Sequence, residues 1–137
     1  MTNALSAALS GLGASLKRLG AAASNIANVQ TSGSLEPGGK KAYEARTVVQ
    51  TAQVTGDGQG AGVSAEVVLK REPFVPVYQP DSVDANAQGM VAMPNVDLAE
   101  EIVGLKMASL TYRANVKVLE AAARLSEEAG RLLDEKA

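Results

Sequence analysis

The sequence predicts a mainly α protein with a small β region, in which an N-terminal and a C-terminal helix pair as a coiled coil and a β-hairpin-containing segment lies between them. Three observations predict it. Near the start, Leu5, Leu9, Leu12, Leu16, Leu19, Ala23 and Ile26 recur at alternating steps of four and three. A stripe of that period stays on one side of a helix only if the helix winds around a partner. Near the end, a long amphipathic stretch carries two apolar seams, and in the middle the pattern changes to a period of two around a glycine-rich loop. These shifts divide the chain into residues 1–33, a coiled-coil helix and turn; 34–94, a linker and small β region; and 95–137, a second coiled-coil helix that forms one domain with the first.

The first helix spans residues 2 to about 28, with Thr2 or Asn3 as its cap. Gly11, Gly13 and Gly20 each cost about 1 kcal/mol relative to Ala inside a helix. They read either as tolerated positions in a packed helix or as marks of a segment that orders fully on assembly. Asn28 to Lys41, with Pro37, Gly38 and Gly39, is a turn and linker. A strand follows from about Tyr43 to Val54, with Val48, Gln50, Ala52 and Val54 on one face. A second places Val63, Ala65, Val67 and Leu69 on one face, and the two form a hairpin. Pro73, Pro76 and Pro80 confine Phe74–Tyr78 to an edge or bulge, and Met90–Met93 adds a short strand.

The last helix is expected from Val96 to Lys136, opened by Asp97 as cap with Glu100 three residues on. One seam takes Leu98, Ile102, Leu105, Ser109, Tyr112, Val116, Leu119 and Ala123; the other takes Val103, Met107, Leu110 and Ala114, then drifts to Val118, Ala122, Leu125, Ala129 and Leu132. One helical partner cannot cover both. The helix is either wedged between the first helix and the β region, or it keeps one face for other molecules.

Composition narrows function. Hydrophobic residues make up 46% of 137, but much of that is alanine, with one Phe, three Tyr and no Trp, so the core is thin and the molecule elongated. A net charge of −2 with interspersed signs gathers neither nucleic acid nor an anionic membrane. No stretch reaches the roughly 20 apolar residues of a spanning helix, so membrane insertion is not expected, and the N-terminus lacks the pattern of a cleavable signal peptide. Without Cys or His, the chain lacks disulfides, thiolate metal ligands and the usual neutral-pH acid–base group, and neither catalysis nor a cofactor is expected.

Two motifs are decoys. Gly56–Gly62 is followed by a strand pattern and lacks a phosphate loop's Lys-Ser/Thr ending, so it reads as a hairpin tip. Asp84-Ala85-Asn86-Ala87-Gln88-Gly89 imitates a calcium loop, but the twelfth place is Asn95, which cannot supply the bidentate carboxylate.

The stretch Ala23-Ser24-Asn25-Ile26-Ala27-Asn28-Val29-Gln30-Thr31-Ser32-Gly33 closely resembles the N-terminal signature of bacterial flagellar rod, hook and hook-associated proteins. Asn25 and Asn28 can satisfy backbone groups at the helix end, Thr31 belongs to the turn, and Gly33 can adopt its positive φ. Asn95–Val103, Ser109 and Tyr112-Arg113-Ala114-Asn115-Val116-Lys117-Val118 resemble the C-terminal signature of the same superfamily. Val77–Asp81, Asp84-Ala85, Gly89 and Val91–Val96 look like its proximal rod members. Ser34 stands where the family usually has an aromatic, and Val83 where it usually has proline.

The resemblance implies a structural subunit of the flagellar basal-body rod, exported by the flagellar type III apparatus and polymerised in the periplasm with copies of itself and other rod proteins. The expected assembly seams are Leu5, Leu9, Leu12, Leu16, Leu19 and Ile26 on the first helix, and Ile102, Leu105, Tyr112, Asn115, Val116 and Leu119 on the last, with the leucine stripe of the first helix expected to pack against the seam of the last. The alternative is a dimeric coiled-coil adaptor that presents the β-hairpin to a ligand.

Overall fold

The computed structural model describes residues 2–134 and has the predicted class. Helix α1 (Thr2–Asn28) leads to strands β1 (Arg46–Val54), β2 (Gly60–Leu69), β3 (Phe74–Tyr78) and β4 (Met90–Pro94), then helix α2 (Leu98–Asp134). The strands form two separate antiparallel hairpins, β1–β2 and β3–β4.

The helices pack antiparallel. Asn25 of α1 meets Glu101 of α2 at one end, and Gly11 faces Asn115 further along. That register sets Thr2 opposite Arg124, so residues 125–134 of α2 project about 15 Å past the start of α1 at 1.5 Å per residue. Gly104 and Gly130 do not interrupt α2.

Its start is set by Asp97. Oδ1 of Asp97 accepts the backbone N–H of Ala99 at 2.8 Å and of Glu100 at 3.1 Å, closing two donors that the first turn leaves open. Asp97→Ala is expected to cost about 1 kcal/mol, read as a lower midpoint in urea unfolding. The side chain of Asn3 does not cap α1; it lies within the helix and donates to Gln59 at 3.1 Å.

The first hairpin lies along α1 with β2 nearest the helix and running in the same direction. Gln59 sits at Asn3, Val63 N–H donates to Ser10 Oγ at 3.1 Å, and Lys17 Nζ reaches the carbonyl of Ala65. Gly62, with φ of 111°, makes this approach possible, because a side chain there would strike Ser10 and come within 3.1 Å of Ala7 Cα. The strand register sets Val48, Gln50 and Ala52 directly opposite Val67, Ala65 and Val63, so the two expected faces meet as one. Thr55–Gln59 close the hairpin tip, with Thr55 N–H donating to Gln59 C=O at 2.8 Å.

The second hairpin sits where α1 ends. Gly33 and Ala92 exchange backbone hydrogen bonds of 3.0 and 2.8 Å, and Ser32 and Lys40 both reach Asp84 Oδ2, at 3.0 and 3.4 Å. Asp84 thereby fastens the loop to the helix exit. Gly33 itself corrects an expectation, since the positive-φ glycines are Gly38, Gly58, Gly62 and Gly89. What requires glycine at 33 is space: a Cβ would run into the backbone of Lys41 and Ala42. Gly33→Ala is expected to destabilise by roughly 1–3 kcal/mol, the cost of overpacking against atoms that cannot rotate away; a thermal melt checks it.

Among the described residues, seven of the eight buried apolar residues are alanine, the exception being Val91. This is the thin core that the composition predicts.

Candidate assembly interface

At the junction of both helices and the first hairpin, Asn25 is completely buried. Its Nδ2 donates to Arg46 C=O at 2.7 Å and to Glu101 Oε1 at 2.8 Å. Its Oδ1 accepts from Arg46 N–H at 3.0 Å and lies 3.0 Å from the Tyr43 hydroxyl. Glu101 Oε1 also pairs with Lys70 Nζ at 3.3 Å, just beyond the end of β2. One amide therefore joins α1, the first residue of β1 and α2, with every donor and acceptor occupied.

This corrects the role expected for Asn25. The helix end is served by Asn28, whose Nδ2 donates to Ser24 C=O at 2.8 Å, and by Thr31, whose Oγ1 donates to Asn28 C=O at 2.8 Å. Asn25 lies one turn earlier on the inward face and reaches across to the strand instead. Glu101 is the other half of the junction.

The helix pair meets through small residues. On the side of α1 that carries Gly11 lie Ala8, Ser15 and Ala22, all buried and spaced by seven. A second set with the same spacing, Ala7, Ala14 and Ala21, turns toward the hairpin. The covered positions of α2 include Glu101, Leu105, Ala108, Tyr112, Asn115, Leu119 and Ala122, stepping by four and three as a coiled-coil seam does, with Ser109 and Val116 half-buried at its margin. These heptads of alanine and serine were present in the sequence, but the leucine stripe beside them gives a stronger apolar signal.

This corrects the expected pairing: the leucine stripe does not face α2 but sits roughly a quarter-turn round α1 from that contact, by the period of 3.6 residues. Leu5, Leu9 and Leu16 are 43–55% exposed, while Leu12, Leu19 and Ile26 are half-buried at its margin. On α2, Ile102 is exposed, and Leu105, Tyr112, Asn115, Val116 and Leu119 are half-buried. In an antiparallel pair the exposed leucines of α1 and Leu98, Ile102 and Val116 of α2 fall on the same side, opposite the hairpin, as one apolar strip.

A second strip runs along α2 on the hairpin side. Val103, Met107, Leu110, Val118, Leu125 and Leu132 are 45–62% exposed. Between it and β1 runs a groove floored by Ala21 and Ala22 and walled by Met107, Gly104 and Val48. Leu125 and Leu132 belong to the part of α2 that projects past α1. Among the described residues no group of three or more His, Cys, Asp or Glu is placed to hold a metal, and no helix is long and apolar enough to cross a membrane. The geometry offers two long apolar faces and a rigid three-way junction.

Residues 87–132 match the family model described as the C-terminal domain of flagellar basal body rod FlgEFG proteins, a segment that takes in β4 and nearly all of α2 with its exposed strip. Over 119 residues the chain is 37% identical to flagellar basal-body rod protein FlgC of Salmonella typhimurium, covering 87% of each. The chain belongs to the FlgC family of flagellar basal-body rod proteins. FlgC of Bacillus subtilis is 31% identical over 133 residues, 87% of this chain and 89% of that protein, and FlgC of Aquifex aeolicus is 28% identical over 115 residues. A match over 87% of the chain takes in the junction, both hairpins and part of each helix, and the role of the family is structural.

Proposed function

We propose that this chain is a structural subunit of the proximal rod of the flagellar basal body, built into a helical tube through its terminal helices and contributing to flagellum-driven motility. Its neighbours on this reading are copies of itself and other rod proteins. The observation that carries the proposal is surface. The chain exposes 9265 Å², against about 6,700 Å² for a compact monomer of 14.0 kDa. The excess is of the size that stable protein interfaces bury, and the two apolar strips are where it is least compatible with water. A shaft that transmits torque gains stiffness when each subunit buries several faces in its neighbours.

The same reading has the chain delivered to the periplasm by the flagellar type III export apparatus. In cells whose export apparatus is inactivated, the chain is expected to remain in the cytoplasmic fraction. The location is tested by imaging purified basal bodies that carry a tagged copy of the chain. Density for the tag at the proximal rod supports the assignment, and its absence from basal bodies of motile cells overturns it.

A further inference from the structure

The border strand of a sheet presents unpaired backbone N–H and C=O groups and will template another strand unless something blocks it. In an antiparallel ladder both groups of one residue point the same way and alternate along the strand. The side-chain bonds to the strands therefore reveal which residues turn outward.

On β2, Val63 gives its N–H to Ser10 and Ala65 receives Lys17, so α1 closes that border. On β4, Ala92 exchanges both bonds with Gly33, and Met90 exchanges both with Asn86, through its Oδ1 and its backbone N–H. On β3 the residue opposite Ala92 is Pro76, which has no N–H to offer. Three borders are closed by three different devices.

The fourth is closed at one end only. Arg46 gives its N–H and C=O to Asn25, which fixes the outward set of β1 as Arg46, Val48, Gln50 and Ala52. The β2 partners agree, since Val63 and Ala65 lie opposite Ala52 and Gln50. Beyond Arg46 no hydrogen-bond partner meets this border among the described residues, and Gln50 and Ala52 are exposed. From Thr47 to Val54 the strand carries no charge and no proline, so neither usual deterrent to strand addition is present.

We propose that the open border of β1 pairs antiparallel with the same border of a second copy of this chain. Centred on Gln50, the pairing sets Val48 opposite Ala52 and Val49 opposite Thr51, neutral and largely β-branched partners without a like-charge clash. A charged strand would gain no counterpart here, whereas β1 is its own neutral complement. The four-stranded sheet that results has β2 at both outer borders, where α1 already closes it, so association stops at two. A two-fold pair cannot be repeated along a tube whose subunits all point one way. It is therefore a state of the free protein, separate from rod assembly.

The cysteine-free chain offers a direct test, because Gln50→Cys introduces a single thiol. Hydrogen-bonded opposite residues have Cα atoms about 5.5 Å apart, within disulfide reach. Under mild oxidation Gln50→Cys is expected to cross-link at least about tenfold faster than Gln53→Cys, an exposed position on the same strand. Gln50→Pro removes an outward N–H and no ladder bond, so it is expected to abolish the dimer in sedimentation while helicity and swimming stay unchanged. Equal cross-linking rates overturn the proposal. So does a dimer that survives Gln50→Pro and dissolves in Leu110→Glu, which would assign association to the helices instead.

Discussion

Asn25→Ala is expected to destabilise the free chain by about 2–4 kcal/mol, since the truncation leaves the Arg46 N–H and C=O and the Glu101 carboxylate in a buried junction without their partner. Each buried group left unsatisfied costs on the order of 1–3 kcal/mol, and water admitted to the cavity recovers part of it. Against a usual total of about 5–15 kcal/mol, and with a core made mostly of alanine, that is a large fraction. Urea unfolding of the wild type and the variant measures it. Asn25→Asp separates hydrogen bonding from volume: it keeps the acceptor for Arg46 N–H, loses the donors, and places a carboxylate beside Glu101. It is expected to be at least as damaging near neutral pH, and a variant as stable as the wild type would show that the junction holds nothing together.

The second large effect falls on assembly while stability is spared. Leu16 is more than half exposed on α1, and Leu110 is equally so on the opposite strip of α2. Leu16→Glu and Leu110→Glu are each expected to change the stability of the free chain by no more than about 0.5 kcal/mol, as exposed substitutions do. In a polymer the same carboxylate would be driven into a dry contact, at several kcal/mol per subunit and with the penalty repeated at every copy. Normal circular dichroism and unfolding with loss of rod incorporation and swimming is therefore the expected combination. Full motility in both variants would remove the assembly role from both strips. Motility lost in one variant only would tell which strip meets a neighbour.

Much of the fold was legible in the sequence because local chemistry decides it. Asp97 opens α2, the period-two faces of Thr47–Val54 and Val63–Leu69 pair as one hairpin, and Pro76 holds β3 at a border. What the periodicity could not reveal was which of two adjacent stripes on α1 faces inward. The leucine stripe has more apolar area, yet the alanine and serine positions beside it are the buried ones, since Gly11, Ser15 and Ala22 let α2 come close. The roles of Asn25 and Gly33 were hidden for a similar reason. Each depends on a strand or linker far along the chain, Arg46 for one and Ala92 with Lys41 and Ala42 for the other.

By itself the sequence determined two amphipathic helices with surplus apolar faces, a small hairpin region, and membership in a structural family, because hydrophobic period, caps and turn residues act over a few neighbours. Only the tertiary structure decided that the helices meet through small side chains and leave their leucines outside, that one buried amide locks three elements together, and that among the described residues a single strand border stays open. Those outcomes turn on how closely distant segments can approach, and steric fit between surfaces is a property of the packed chain.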